Sequence, residues 1–440
     1  MKRLYEPAAY GPLKACFWTD TVAPDTWRPL DGDTETDFAI IGGGFTGLNA
    51  ALSLARSGAS VRVLEAEDPG WGASGRNGGF CCLGGAKAPR GMLLRRYGAN
   101  GLADWFSAER AAVSHVQSLV ADGAWEVDAY SEGETLLAHS SRAWRDIQAE
   151  ADQVAKDHGV AVSLTPKDGL RQSGMGGPWH GAMTVPLGFA LNPRKYHQAL
   201  ARAARDAGVG CYGKTPATGL QPHGSGWRLA TPTGTVQARR VILATNGYSS
   251  EDLPPWLAGR TLPVQSRVIV TRPLTQLERD QQGWTSHQMA FDSRFLLHYF
   301  RLLPENRFLF GMRGGLRATP AADAALGRKI RSDFNKLFPE WSSVEITHEW
   351  SGLVCLMQRL VPFVGPVPGH DGLFAALGYH GNGVAMGSYA GSLIAEIARG
   401  ANPSRPYPVS MQQPPLRFPL GRFRRALLWP TYAIAGALDL

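Results

Sequence analysis

The chain has 440 residues, 44% of them hydrophobic, enough to bury a large core spread over two or three domains. Its net charge of +8 is uneven, because residues 401–440 carry five arginines (405, 417, 422, 424, 425) against one acid, Asp439. A charge gathered in one tail argues against a nucleic-acid footprint, and five cysteines (16, 81, 82, 211, 355) without a C-x-x-C argue for a reducing cytoplasm rather than a disulfide framework.

Residues 1–35 are aromatic and proline-containing without periodicity, and are expected to lie on the surface as an arm. MKRLYEPAAYG lacks the apolar region of a signal peptide, and no later run approaches the roughly 18 apolar residues of a spanning helix. Phe38–Ile41 reads as a strand buried on both faces. It runs into Gly42-Gly43-Gly44-Phe45-Thr46-Gly47, after which Leu48, Ala51, Leu52 and Ala55 recur at helical spacing up to Gly58. Val61–Leu64 is the next strand, and Glu65 stands at its end. Strand, G-x-G-x-x-G, helix, strand and acid in this register predict a dinucleotide site. Gly42 makes the turn, Gly44 admits a pyrophosphate, and Gly47 lets helix pack on strand. The helix N-terminus faces the phosphates, and Glu65 is placed to bind ribose hydroxyls. The run Gly70–Gly79, GWGASGRNGG, lets backbone approach a flat or charged ligand.

Leu102, Phe106, Val113, Val116 and Val120 predict an amphipathic helix, and Trp144, Ile147, Ala151 and Val154 a second that ends at Gly159. Asn192 caps a third, with Pro193 in its first turn and Gly208 beyond its end. Strands are predicted at 209–212, 227–230, 235–238, 241–247, 267–270 and 295–302, the last turning through Pro304-Glu305-Asn306 into 307–310. A helix with Leu326, Ile330, Phe334 and Leu337 follows, then a mostly apolar segment, 350–365. Leu373–Leu377 is a buried strand that enters Gly378-Tyr379-His380-Gly381-Asn382-Gly383 and a last helix. This second strand–glycine loop–helix aims another positive helix end at a ligand. Six prolines in 402–419 precede a basic, apolar end.

GWGASGRNGG, VILATNGY (241–248) and GYHGNGVAMGSYAG (378–391), following the first fingerprint in that order, resemble FAD-dependent amine oxidoreductases of the D-amino acid oxidase superfamily. With LLHYFRLLPENRFLFG (296–311), the resemblance is closest to γ-glutamylputrescine oxidases, and it covers about residues 30 to 400. It implies an α/β fold: a discontinuous Rossmann-like FAD-binding domain (30–95, 186–255, 345–400), a β-rich substrate domain (96–185, 256–344) and a C-terminal tail (401–440). FAD would lie extended. Gly42, Gly44, Phe45, Thr46, Gly47, Glu65 and Ala66 would hold its ADP half, and Gly72, Ala73, Ser74, Arg76, Asn77, Gly78 and Gly79 its ribityl and ring portion. Ala244, Thr245 and Gly247 match the second nucleotide-contacting strand. Gly378, Gly381, Asn382, Gly383 and Val384 would sit at the pyrimidine edge, where the helix end stabilises charge on the reduced ring.

For substrate, the resemblance implies contact by Tyr299 and a place near the ring for His380, whose alternative role is structural. Arg301, two residues beyond Tyr299 on the same strand face, is read as a ligand for a distal acid or as a surface ion pair. The two cations that hold a substrate carboxylate elsewhere in the superfamily are replaced by Val354 and Ala385, which favours an amine whose oxidised carbon bears no carboxylate. Cys355 falls near a segment to which sarcosine oxidases attach FAD, but a buried free thiol fits better. No metal motif occurs. The expected reaction is oxidation of a primary or secondary amine, like γ-glutamylputrescine, to imine and aldehyde, with oxygen giving peroxide. The alternatives are an amine or amino acid dehydrogenase that feeds a quinone or protein acceptor, with the tail lying on a membrane surface, and an RNA-associated flavoprotein.

Overall fold

The apolar run at 38–41 is the inner half of a strand, Thr34–Ile41, in the computed structural model, which describes residues 2–13 and 15–438. This strand is hydrogen-bonded in parallel to Val61–Leu64 on one side and to Gly234–Leu243 on the other. Parallel pairing extends the sheet to Gly210–Tyr212 at one end and Leu373–Leu377 at the other. Phe363–Pro366 and the hairpin strands Gly219–His223 and Gly226–Thr231 join antiparallel. Successive residues point to opposite faces, which explains the unbroken apolar runs. Ile40, Val63, Ile242 and Ala376 enter one core beneath the helices Phe45–Arg56, Pro193–Asp206 and Ala385–Ala398. Ala39, Ile41, Leu64, Val241, Leu243 and Ala375 enter another on the opposite face.

The second sheet also has eight strands. Their order is Ile346–Met357, Thr261–Thr271, Phe308–Arg313, His298–Leu302, Met289–Asp292, Glu134–Leu137, Gly181–Val185 and Ser163–Pro166. Its hairpin closes at Asn306, whose φ of +58° suits an asparagine in a tight turn. One face is packed by the Pro320–Leu337 helix through Phe300, Phe308, Phe310, Phe334 and Phe338. The other face is turned toward the site described below.

Four expectations change. The strands predicted at 235–238 and 241–247 are one, Gly234–Leu243, because its pairing with Thr34–Ile41 continues unbroken past Arg239 and Arg240, and it stops before a helical turn at Asn246–Tyr248. Ile346–Met357, expected among the nucleotide-binding segments, pairs along its length with Thr261–Thr271 in the second sheet. The N-terminal arm is partly core: Phe17, Trp18, Trp27 and Leu30 are buried, and the Trp18 indole N–H donates to Asn77 O at 2.8 Å. Aromatic area of that size is more favourable buried than wet. The Arg90–Asp122 helix, bent at Gly98 (φ +70°), sends Leu102, Trp105, Val113 and Val116 into the first sheet's core, although sequence placed it with the substrate segments. Asp439 of the tail lies outside the described residues.

Asn192 shows how local chemistry holds these layers. Its carbonyl accepts from Arg194 N and Lys195 N (3.1 and 3.2 Å), while its amide donates to Thr21 Oγ1 (2.9 Å) and Asp128 Oδ2 (3.1 Å). Replacing it removes a cap and leaves the buried Arg194 N–H without its acceptor. Asn192→Ala is expected to lower the unfolding free energy by about 1–3 kcal/mol, read from the urea midpoint. An unchanged midpoint would show that the cap contributes nothing.

Candidate functional site

The first glycine turn leaves no room for side chains. A Cβ at Gly47 would lie 1.9 Å from Gly42 O, and one at Gly42 would lie 2.8 Å from Ala244 O on a backbone with φ of +108°. The Phe45–Arg56 helix therefore starts hard against the strand ends. Its N-terminus has no side-chain cap from Gly44 and no acid in its first turn, and the Phe45 N–H is met by Ser74 Oγ at 2.9 Å. The Ala385–Ala398 helix likewise starts uncapped, without an acid in its first turn. The two starts line one cavity, through residues 42–46 and 381–384. They are locked together. The Thr46 hydroxyl donates to Gly387 O (2.9 Å) and lies 3.0 Å from the Tyr379 hydroxyl, while a Cβ at Gly391 would lie 2.3 Å from Thr46 O. Two uncapped helix ends above a glycine-lined wall suit a flat ligand with phosphates, which is what FAD is.

Most of the residues expected to face the cofactor line this cavity. They are Gly42, Gly44, Phe45, Thr46, Glu65 and Ala66; Gly72, Ala73, Ser74, Arg76, Asn77 and Gly78; Ala244 and Thr245; and Gly381, Asn382, Gly383 and Val384. Glu65 accepts from Gly43 N (2.9 Å) and Glu67 N (3.0 Å), and burial raises its pKa. Arg76 is spent on the protein: it stacks over Trp71 and donates to the carbonyls of Trp71, Ser351 and Gly11. Gly47, Gly79, Gly247 and Gly378 lie behind the wall. A Cβ at Gly79 would strike Leu191 O at 2.0 Å, one at Gly247 would lie 3.3 Å from Leu353 O, and one at Gly378 would lie 2.2 Å from Met357 Cγ. These glycines serve close packing.

The three candidate catalytic residues separate. Tyr299 lines the cavity beneath Gly78, and its hydroxyl lies 3.0 Å from Ser266 Oγ. Burial raises its pKa, so the phenol stays protonated. His380 is behind the cavity lining and fully buried. Its Nε2 accepts from Met357 N (3.1 Å), so its Nδ1 carries the proton and donates to Gly85 O (2.8 Å). Burial depresses its pKa to about 4, and the neutral ring pins a backbone with φ of +51°. Arg301 makes no surface ion pair and reaches no mouth of the cavity. It is 1% exposed, donates to the Tyr130 hydroxyl (2.7 Å) and Leu191 O (2.8 Å), and sits among the rings of Trp18, Phe80 and Tyr130. It does share the face of Tyr299, but the Gly79 backbone covers it there.

Sequence reasoning missed the rest of the wall. Ser266 pairs with Arg313, Tyr299 with Gly311 and with Phe291, and Val264 with Val354, so Ser266, Tyr299, Phe291, Arg313 and Val354 share one sheet face. All five line the cavity, together with Lys87 and Glu134. Val354 and Ala385 supply no cation, as their side chains require, but the cavity does not lack cations: Lys87 and Arg313 bring them from a loop and a strand end. Arg313 and burial push the Lys87 pKa down to about 7, and burial raises that of Glu134 to about 7. The signal for Arg313 was its place two residues beyond the cross-strand partner of Tyr299, which needs the pairing register to be known. Cys355 also lines the cavity, with burial pushing its thiol up to about 12. Among the described residues no cluster of three potential metal ligands occurs, and no helix is long and apolar enough to cross a membrane.

Comparison with known proteins agrees with this geometry. The chain is 31% identical over 422 residues to a probable oxidoreductase OrdL of Rhizobium meliloti, covering 94% of each chain. It is 28% identical to a γ-glutamylputrescine oxidoreductase of Escherichia coli, covering 85% of this chain and 87% of that one. The fold is similar to that of the crystal structure of glycine oxidase from Geobacillus kaustophilus, with a TM-score of 0.70 at 21% identity over 86% of this chain and 99% of that one. A valine at Gly44, beside Ser74 Oγ and facing the cavity, is expected to abolish FAD retention. Glu65→Ala should weaken it by about 1.5–3 kcal/mol, and flavin absorbance after gel filtration reads both. The Cys355 thiol is held protonated, so acid precipitation should leave the yellow colour in the supernatant; flavin kept in the pellet would show a covalent link. The family profile for FAD dependent oxidoreductases (DAO) matches residues 37–397, and the chain belongs to that family, with FAD as its cofactor.

Proposed function

We propose that the protein oxidises a primary or secondary amine that carries an acidic group several bonds away, as γ-glutamylputrescine does. The product imine is opened by water to an aldehyde and ammonia or a smaller amine, and oxygen is reduced to peroxide. One observation carries this reading. The cavity is lined by glycine-rich backbone and also by Tyr299, Phe291, Leu297, Lys87, Glu134 and Arg313. A lining that mixes apolar side chains with ionisable ones suits an amine that carries a charged group elsewhere on the molecule, and the likeness to the γ-glutamylputrescine oxidoreductase over most of both chains supports it.

Bound FAD supplies the two-electron acceptor; the remaining tasks fall to the chain. Residues 42–46 and Glu65 would hold the ADP half, Ser74, Asn77 and Gly78 the middle, and the helix start after Gly383 the pyrimidine edge. Ser266 donates to Met312 O at 3.0 Å, so the Tyr299 hydroxyl donates to Ser266 and turns its lone pairs to the cavity. There it can accept an amine N–H and set the angle of the α-carbon. The apolar neighbours Val268, Phe291 and Val354 exclude water and favour the neutral amine, the form that can be oxidised. All five cysteines are buried free thiols, which supports a reducing compartment such as the cytoplasm.

A second reading, a dehydrogenase that feeds a membrane quinone, is favoured by exposed Leu420, Phe423, Trp429 and Ile434 in the arginine-bearing tail. The test is anaerobic bleaching of the flavin by γ-glutamylputrescine, N-acetylputrescine, D-alanine, glycine and sarcosine under identical conditions. The reduced protein is then mixed with air or with a soluble quinone. The putrescine derivatives should reduce fastest and air should reoxidise. Faster reduction by the small amino acids would overturn the substrate class, and faster reoxidation by quinone would favour the dehydrogenase.

A further inference from the structure

Directly behind the cavity wall, the second sheet holds a buried ion network. The Met289–Asp292 and His298–Leu302 strands pair Phe291 with Tyr299. Side chains alternate along them, so Phe291 and Tyr299 line the cavity, while Asp292 and His298 point the other way, toward the Pro320–Leu337 helix. Asp292 and His298 are 1% and 6% exposed, and the His298 ring stacks on Phe310 with centroids 5.2 Å apart. His298 Nδ1 lies 2.8 Å from Asp292 Oδ2, and its Nε2 lies 3.2 Å from Oδ2 of Asp333 on the helix. Asp292 Oδ1 also accepts from His298 N at 3.0 Å, which closes the loop 293–297 between the strands. Leu297 of that loop lines the cavity as well.

Hydrogen-bond geometry fixes the charge of this ring. A carboxylate only accepts, and a neutral imidazole has a single N–H. With a carboxylate on each nitrogen, His298 carries both protons. The carboxylates stay ionised because Arg294 Nη1 reaches Asp292 and Lys329 Nζ reaches Asp333, each at 2.7 Å. Burial opposes the ring's charge, but the bonds to Asp292 and Asp333 outweigh it and hold its pKa above the ordinary value. Arg294 and Lys329 are partly in solvent and each meets one carboxylate; among the described residues His298 alone joins the two.

We infer that His298 is a positioning residue of the cavity wall: as an imidazolium it ties the 291–299 segment to the Pro320–Leu337 helix and so holds Tyr299 and Leu297 in place for the substrate. Loss of one proton turns a nitrogen lone pair toward one of the carboxylates, whichever tautomer forms. The tie is therefore complete at low and neutral pH and is lost as the pH rises through the ring's raised pKa. The loop then loosens, and Tyr299 loses its support from behind.

The test uses the FAD-loaded protein. Chymotrypsin cuts after Phe295, which is 58% exposed in the loop, and its rate is divided by that for a small peptide substrate at the same pH. Wild type should be cut slowly at pH 6.5 and about tenfold faster at pH 10. In Asp333→Asn the new amide can donate to Nε2 of the neutral ring, so cutting should stay slow at both. His298→Gln should be cut fast at both, and adding Asp333→Asn to it should restore slow cutting. A flat wild-type rate, an Asp333→Asn profile that follows wild type, or slow cutting of His298→Gln at pH 6.5 would each overturn the inference. If His298→Gln does not fold, Asp333→Asn decides. Only the second measurement rests on the amine-oxidation reading: limiting rates of anaerobic flavin bleaching by γ-glutamylputrescine. The ratio of Asp333→Asn to wild type cancels the ionisation of the amine itself and should rise about tenfold between the two pH values. A constant ratio would reduce the network to packing and overturn its role toward Tyr299. If that compound bleaches neither protein, the amine reading fails, and the cleavage profiles judge His298 by themselves.

Discussion

The structure depends on bringing two helix N-termini to one cavity. Each start carries N–H groups without intrahelical acceptors and partial positive charge, and two of them side by side repel unless a ligand or close packing offsets it. Close packing is supplied by absent side chains. Gly47 sits on Gly42 O, Gly391 on Thr46 O, and the Thr46 hydroxyl is shared between Gly387 and Tyr379. Parallel pairing of Thr34–Ile41, Gly234–Leu243 and Leu373–Leu377 sets the strand ends from which both turns leave, so the sheet register fixes where the two positive ends point.

Against this anchored layer the second sheet presents a single face. Cross-strand pairing selects its members, and burial decides what each can do. Arg301 and Arg313 belong to the same hairpin and the same face, yet they have opposite fates. Arg301 is closed in by Gly79, Trp18, Phe80 and Tyr130, and its two terminal nitrogens donate to Tyr130 and Leu191. Arg313, at the strand end beside Gly381, keeps its guanidinium on the cavity. His380 shows the same division: a ring inside the glycine loop, with both nitrogens occupied by backbone groups, is a strut.

The nucleotide-binding half was largely legible because its signals are local. A glycine that must turn at positive φ, an apolar strand of four residues and an acid at the next strand end are properties of contiguous sequence, and so are Asn192 and Pro193 at a helix start. The resemblance to a family carried the identity of the cofactor, and the comparisons showed it. Strand extents were less legible where charged residues interrupt a pattern, since Arg239 and Arg240 leave a strand whose hydrogen bonds continue through them.

What the chain alone determined, then, is a dinucleotide-binding strand–turn–helix and the existence of a second glycine loop, because steric exclusion at those glycines operates between near neighbours. Only the tertiary structure decided which side chains of the second sheet line the cavity. Lys87, Glu134 and Arg313 lie far apart in sequence, and each reads as an ordinary surface charge. Their sharing one cavity depends on the register of Ser266 against Arg313, on the tie of the 87–88 backbone to Leu360 and on the position of Glu134 at its strand start. Charges separated by many residues acquire a shared energy only when folding removes the water between them, and no local pattern records that distance.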